Sequence, residues 1–168
     1  MIKTASKKNS RSAGGRPPVS LVIPCKAEYV FLSRLVVGAM GVQEGLDEET
    51  IADLKVVVAE ACNCFLLGSV RENGAQGHEA ERPSWPSLKL DFHLLPGRWE
   101  VMVSNPDKRL LPPADLCDPR SEGGLGIMII RALVDSVKRT ESQAEGTTLH
   151  LVKRLPQGLP EELPEAQT

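Results

Sequence analysis

The spacing of apolar residues changes several times along this chain, and each change marks an element. Val19-Ser20-Leu21-Val22-Ile23 is a short apolar run closed by Pro24 and reads as a strand. Residues 28–40 then take the 3.6-residue period, placing Phe31, Leu32, Leu35, Val36, Ala39 and Met40 on one helical stripe. Asp47 and Thr50 are candidate caps for a longer helix reaching about Ser69, with Leu54, Val57, Val58, Ala61, Cys62 and Phe65 as its buried side.

Residues 70–86 form a polar excursion punctuated by Asn73-Gly74, Gly77, Pro83 and Pro86. Residues 88–94 and 99–104 then alternate apolar and polar, which predicts a hairpin turning at Pro96-Gly97. A stretch rich in Pro and charge (residues 105–122) leads into glycines 123, 124 and 126, a helix to about Lys138, and a closing strand at residues 147–152. Strands and helices in this order predict an α/β chain of the α+β type, a two-layer sandwich with helices on one face of the sheet.

Composition narrows the picture. With 168 residues and 41% hydrophobic content the chain has material for one core and is too short for two ordinary domains. Residues 1–18 hold Lys3, Lys7, Lys8, Arg11 and Arg16 among Ser, Gly and Pro with no acidic residue, and are expected to be a disordered basic tail. Residues 155–168 space Pro156, Pro160 and Pro164 among Glu161, Glu162 and Glu165, which opposes both helix and sheet, so the folded domain is expected at residues 19–154.

Charge is nearly balanced, 20 basic against 22 acidic residues for a net of -2, and direct nucleic-acid binding is not expected. No run approaches the roughly 20 apolar residues of a membrane span, so a soluble cytoplasmic protein is expected. Cys25, Cys62, Cys64 and Cys117 fall in no zinc spacing and read as buried reduced thiols.

Two places could carry chemistry. In Glu122-Gly123-Gly124-Leu125-Gly126-Ile127, glycines run into an amphipathic helix, and a helix start with bare backbone in front of it offers unpaired N–H groups to a phosphate. The same glycines could simply make a tight turn. Neither a dinucleotide fingerprint nor a P-loop fits, because position 129 is Ile and no Gly-Lys-Ser/Thr follows. The second place is Glu60-Ala61-Cys62-Asn63-Cys64, where Glu60, Asn63 and Cys64 share one side of the long helix and Glu60 could take a proton.

Four segments in order carry a resemblance: residues 22–35, residues 53–62, residues 122–137 and Gly146-Thr147-Thr148-Leu149-His150-Leu151-Val152-Lys153. Together they resemble the bacterial anti-sigma-factor serine/threonine kinases of the GHKL (Bergerat-fold) ATPase superfamily, over about residues 19–154. The resemblance implies a histidine-kinase-like ATPase fold with a mixed sheet, ATP and Mg2+ as cofactors, and a homodimer that sequesters a sigma factor. It also implies phosphorylation of an anti-anti-sigma protein of the STAS type in a partner-switching circuit, without direct contact to nucleic acid or membrane. No helix pair bearing an acceptor histidine is legible before Val19, so a two-component histidine kinase fragment is not expected.

Carried onto this sequence, the resemblance makes Glu60 the catalytic base. The family's Mg2+-holding Asn would fall at Cys64, with an Asn one step early, so the metal ligand is Asn63 or Cys64. A polar family residue further along is replaced by Gly68. Asn105-Pro106-Asp107 stands where the family has Asp-x-Gly, so Asn105 would accept from the adenine amino group without charge and Asp107 occupies the glycine position. Gly123, Gly124 and Gly126 would face the phosphates, with Lys108 and Arg131 adding positive charge. Two readings stay open: an active kinase, and a degenerate switch module that acts by partner binding alone.

Overall fold

The computed structural model describes residues 17–73, 86–106, 124–142 and 146–155. Its first strand, β1 (Val19–Pro24), is followed by a 3-10 turn (Ala27–Tyr29) and helices α1 (Val30–Gln43) and α2 (Glu48–Asn73). The hairpin β2 (Ser87–Leu95) and β3 (Arg98–Ser104) comes next, then α3 (Gly124–Leu133), β4 (Ser136–Ser142) and β5 (Gly146–Arg154). The strands form one sheet in the order β1-β2-β3-β5-β4, covered by the helices.

Alternation builds the core. Leu90 pairs with Val103 and Val103 with Leu149, while Phe92 pairs with Val101 and Val101 with Leu151, so each row puts its side chains on one face of the pleat. All of these are at most 2% exposed, as are Leu54, Val57, Val58, Ala61, Cys62 and Phe65 of α2, the side that periodicity predicted. The other face carries Lys89, Asp91, Glu100 and His150 with ion pairs such as Lys89–Asp91 at 2.7 Å, as a one-sided sheet should. Among the described residues no helix is long and apolar enough to cross a membrane.

Three expectations need correction. The sheet is not mixed: among the described residues every strand pair is antiparallel. Strand β4 stands where the spacing predicts the end of a helix running to about Lys138. A helix leading straight into β5 would have delivered it parallel to β3, whereas the β4–β5 hairpin, closing at Ser142 opposite Gly146, reverses it.

Helix α3 stops at Leu133 because partners on β5 take over there. Lys153 Nζ donates to the Leu133 carbonyl at 2.8 Å, and the Asp135 backbone N–H donates to the Val152 carbonyl at 2.9 Å, which draws the chain into the sheet. Asp135 also accepts from the Arg154 backbone N–H at 2.6 Å and from Arg154 Nε at 2.7 Å.

Third, the buried stripe of α1 is rotated from the predicted one. Val30, Ser33, Val37, Gly38 and Gly41 are buried, Leu32, Val36 and Met40 are half-buried, and Phe31 and Leu35 are 55% and 61% exposed. Helix α1 meets α2 through its glycines: a Cβ at position 41 would lie 2.6 Å from Ile51 Cγ1, and one at position 38 would lie 2.8 Å from Lys55 Cε. A contact face made of glycine is invisible to a search for bulky apolar residues.

The start of α2 is as expected. Asp47 Oδ1 accepts the Thr50 backbone N–H at 2.8 Å, Thr50 Oγ1 donates to Asp47 Oδ2 at 2.7 Å, and Glu48 and Glu49 in the first turn suit the helix dipole. The expected tails at residues 1–18 and 155–168 lie almost wholly outside the described residues.

Candidate nucleotide site

Helix α2 is a continuous helix whose sheet side is fixed by buried apolar residues, and this sets the direction of everything else on it. Glu60 flanks that buried side and is half-buried. Helix α3 packs beside α2, anchored by Ile127 and Ile130 at 1% and 0% exposure. The first turn of α3 holds Gly124, buried, and Gly126, half-buried.

The two motifs singled out in the sequence therefore meet. A Cβ built on Gly126 would stand 2.8 Å from Glu60 Oε2, 3.8 Å from its Cδ and 3.9 Å from its Cβ. The Glu60 carboxylate thus lies against bare backbone in the first turn of α3, where N–H groups have no intrahelical partner and the helix dipole is positive. A proton acceptor and a stretch of backbone open to an anion stand side by side.

One turn after Glu60 comes Cys64, 2% exposed. Burial pushes its thiol up to about 11, and the Glu60 charge adds to the effect. Cys62 is pushed up to about 12 by burial, with the Ser33 hydroxyl opposing and Cys25 and Cys64 reinforcing the rise. Cys25, Cys62 and Cys64 are buried thiols in no disulfide, as the sequence reading expects; Cys117 lies outside the described residues.

This geometry bears directly on Mg2+. Helix α2 runs unbroken through the motif, so half-buried Asn63 stays about 100° around the axis from Cys64 and does not take its place. A protonated, buried thiol is a soft and neutral group, poorly matched to a hard cation that wants oxygen. Among the described residues no group of three or more His, Cys, Asp or Glu could hold a metal. Position 64 therefore offers Mg2+ no oxygen ligand.

Asn105 sits at the end of β3 with 0% exposure, and its backbone N–H donates to the Thr147 carbonyl on β5 at 3.2 Å. Thr147 and Thr148 are buried beside it at 2% and 9%. No spacing rule points to these threonines, and their burial at the strand end singles them out. Arg131 falls in the last turn of α3, at the other end of the helix from the glycines. Asp107, Lys108 and Gly123 lie outside the described residues, as does the side-chain environment of position 68.

Comparison with known proteins agrees with this arrangement. Residues 23–153 match the family described as Histidine kinase-like ATPase domain. The serine-protein kinase RsbW of Halalkalibacterium halodurans is 30% identical over 148 residues, covering 82% of this chain and 83% of that protein. The proteins of the same name from Bacillus thuringiensis (strain Al Hakam) and Bacillus cereus (strain 03BB102) are each 27% identical over 146 residues, covering 80% of this chain and 83% of theirs. With the α/β sandwich, the juxtaposed Glu60 and Gly126 and a match over most of its length, the chain belongs to the histidine kinase-like ATPase domain family, in its RsbW-like branch.

Proposed function

We propose that this chain is a cytoplasmic anti-sigma factor with ATP-dependent serine/threonine protein kinase activity, which sequesters a sigma factor and phosphorylates an anti-anti-sigma protein of the STAS type. The observation that carries the proposal is the contact between the Glu60 carboxylate and the glycine backbone that opens α3. Glu60 takes the proton of the acceptor serine hydroxyl as that oxygen bonds to the γ-phosphorus. The bond from phosphorus to the bridging oxygen breaks, and ADP leaves with the electron pair. General-base assistance of this kind contributes roughly 10²–10⁴-fold.

The remaining residues take supporting roles. The backbone N–H groups at Gly123, Gly124 and Gly126 donate to phosphate oxygens. The buried Asn105 accepts from the adenine amino group through its side-chain oxygen. Partner binding uses the outer stripe of α1, where Phe31, Leu35 and Val42 are 55%, 61% and 72% exposed, together with the edge strand β1. An apolar edge of this kind suits both a homodimer and a sigma factor.

Cys64 favours a second reading, a switch module that keeps the partner surface and does no chemistry, because a buried neutral thiol stands where the resemblance places the Mg2+-holding Asn. Titration calorimetry with ATP and with ADP, each with and without Mg2+, followed by a phosphorylation assay on an anti-anti-sigma protein, separates the two. The kinase reading expects Mg2+-dependent binding and transfer that Glu60→Gln slows by roughly 10²–10⁴-fold. Sigma-factor binding that is indifferent to nucleotide, with no heat from millimolar ATP, would leave the switch reading alone.

A further inference from the structure

Gly126 faces Glu60 at a distance no side chain could share. A Cβ at 2.8 Å from Oε2 is closer than the roughly 3.3–3.6 Å of even a favourable carbon–oxygen contact. We propose that Gly126 is a positioning residue: its missing side chain leaves the space in which the Glu60 carboxylate stands, and so fixes where the base can wait for the acceptor hydroxyl. The inference rests on the kinase reading for its consequence, while the contact itself can be tested apart from activity.

What would move on adding a methyl group is decided by anchoring. Helix α3 is pinned by Ile127 and Ile130, both essentially without exposure, and α2 by a full row of core residues. The Glu60 carboxylate is the far end of a flexible chain whose last torsion is broad. The carboxylate turns away and the helices stay. Alanine is also a better helix former than glycine, so the fold does not suffer. A displacement of about 1 Å at a group that must reach a proton within hydrogen-bond distance is worth on the order of 10²-fold in rate.

A glycine at this place could instead serve the nucleotide by letting phosphate approach bare backbone, and that role would appear in affinity. The experiment compares the full-length protein with Gly126→Ala, Glu60→Gln and the double variant. The readouts are thermal midpoint, calorimetric ATP affinity, turnover on the anti-anti-sigma protein, and the amide resonance of residue 126 in a proton–nitrogen correlation spectrum.

Positioning expects Gly126→Ala to melt no lower than the parent, to bind ATP with unchanged Kd, and to lose on the order of 10²-fold in kcat. It expects the double variant to be no slower than Glu60→Gln alone, because the two changes act through one group. Glu60→Gln should shift the residue-126 amide in the parent and leave it unmoved once Gly126→Ala has turned the carboxylate away.

A weakened ATP Kd with unchanged kcat, or losses that multiply in the double variant, would overturn the proposal. A residue-126 amide that ignores Glu60→Gln would overturn it whatever the activity. If that amide responds as expected while the parent transfers no phosphate, the contact stands and the kinase reading alone falls.

Discussion

Lys153 Nζ stands 3.1 Å from Asp53 Oδ2 while donating to the Leu133 carbonyl at 2.8 Å, so one side chain on β5 ties α2 to the last turn of α3. Glu60 lies two turns further along α2 and Gly126 two turns back along α3, so the Lys153 clamp holds one end of the helix pair whose other end carries the candidate site. The lysine is mostly buried, at 18% side-chain exposure, and Asp53 is at 30%.

Replacing Lys153 by Met keeps the stem but leaves the Leu133 carbonyl without its charged donor. Urea unfolding should show a loss of about 1–2 kcal/mol, most of it from the carbonyl. Asp53→Asn should cost less than about 1 kcal/mol, because a partly exposed pair contributes little by itself. Equal losses in the two variants would mean that the ion pair, and not the helix-end hydrogen bond, carries the clamp.

This clamp also marks where the sequence stopped being legible. Residues that act through their own neighbours were readable: the Asp47 cap, the apolar side of α2 and the Pro96-Gly97 hairpin are local patterns, and the positive φ of 70° at Gly97 is what its glycine foretold. The end of α3 was not, because it depends on Lys153 and Arg154, which arrive from the last strand. Strand β4 was missed for a related reason: as an edge strand with Lys138, Thr140 and Glu141 outward, it lacks the apolar alternation that reveals an inner strand. At the site, the residues of both motifs could be named in advance, but their contact is long-range and only the fold supplies it.

The acid side of the stability curve should depend on Asp47, Asp91 and Asp135. The Thr50 backbone N–H, and then its hydroxyl, hold the Asp47 carboxyl below its ordinary 3.8. The Arg154 backbone N–H, and then its side chain, do the same for Asp135. Burial raises Asp91, but hydrogen bonds from Lys89 and Ser20 outweigh it, and the net shift is downward.

A carboxyl with a lowered folded pKa binds fewer protons folded than unfolded. Its stabilisation is therefore present above pH 3.8 and is lost as pH falls through that value toward the folded pKa. Thermal midpoints followed by circular dichroism from pH 7 down to pH 2 should fall on the acid side, and Asp47→Asn or Asp135→Asn should make that limb shallower. An acid limb unchanged in both variants would refute the assignment.

Gly41 should tolerate no side chain, in contrast to Gly126. The obstructing atom, Ile51 Cγ1 at 2.6 Å, belongs to a stiff β-branched residue that is itself 7% exposed, so relief requires α1 and α2 to separate. Gly41→Ala should destabilise by about 1–3 kcal/mol in urea unfolding despite alanine's higher helix propensity. Cutting the obstruction back with Ile51→Ala should remove most of that penalty in the double variant, and additive losses would show that the contact is not its cause.

Cys64 gives the prediction that bears most on function. With its thiol pushed up to about 11, it should resist iodoacetamide in the native protein at pH 7 and react once the chain is unfolded, which a mass-spectrometric time course would show. Cys64→Asn puts an oxygen donor one helical turn beyond Glu60, where the resemblance places the family's Mg2+-holding Asn. Calorimetry should then show ATP affinity with a stronger Mg2+ dependence than in the parent, because a hard cation gains an oxygen ligand in place of a neutral thiol. The exchange carries a cost, since an amide at a position 2% exposed must find partners, and the nucleotide-free variant should unfold at lower urea by about 1–3 kcal/mol. Added MgATP should recover part of that loss by mass action. A variant that is destabilised but gains no Mg2+ dependence would show that position 64 does not face the metal's place, and that the departure from the family pattern at this residue does not govern nucleotide binding.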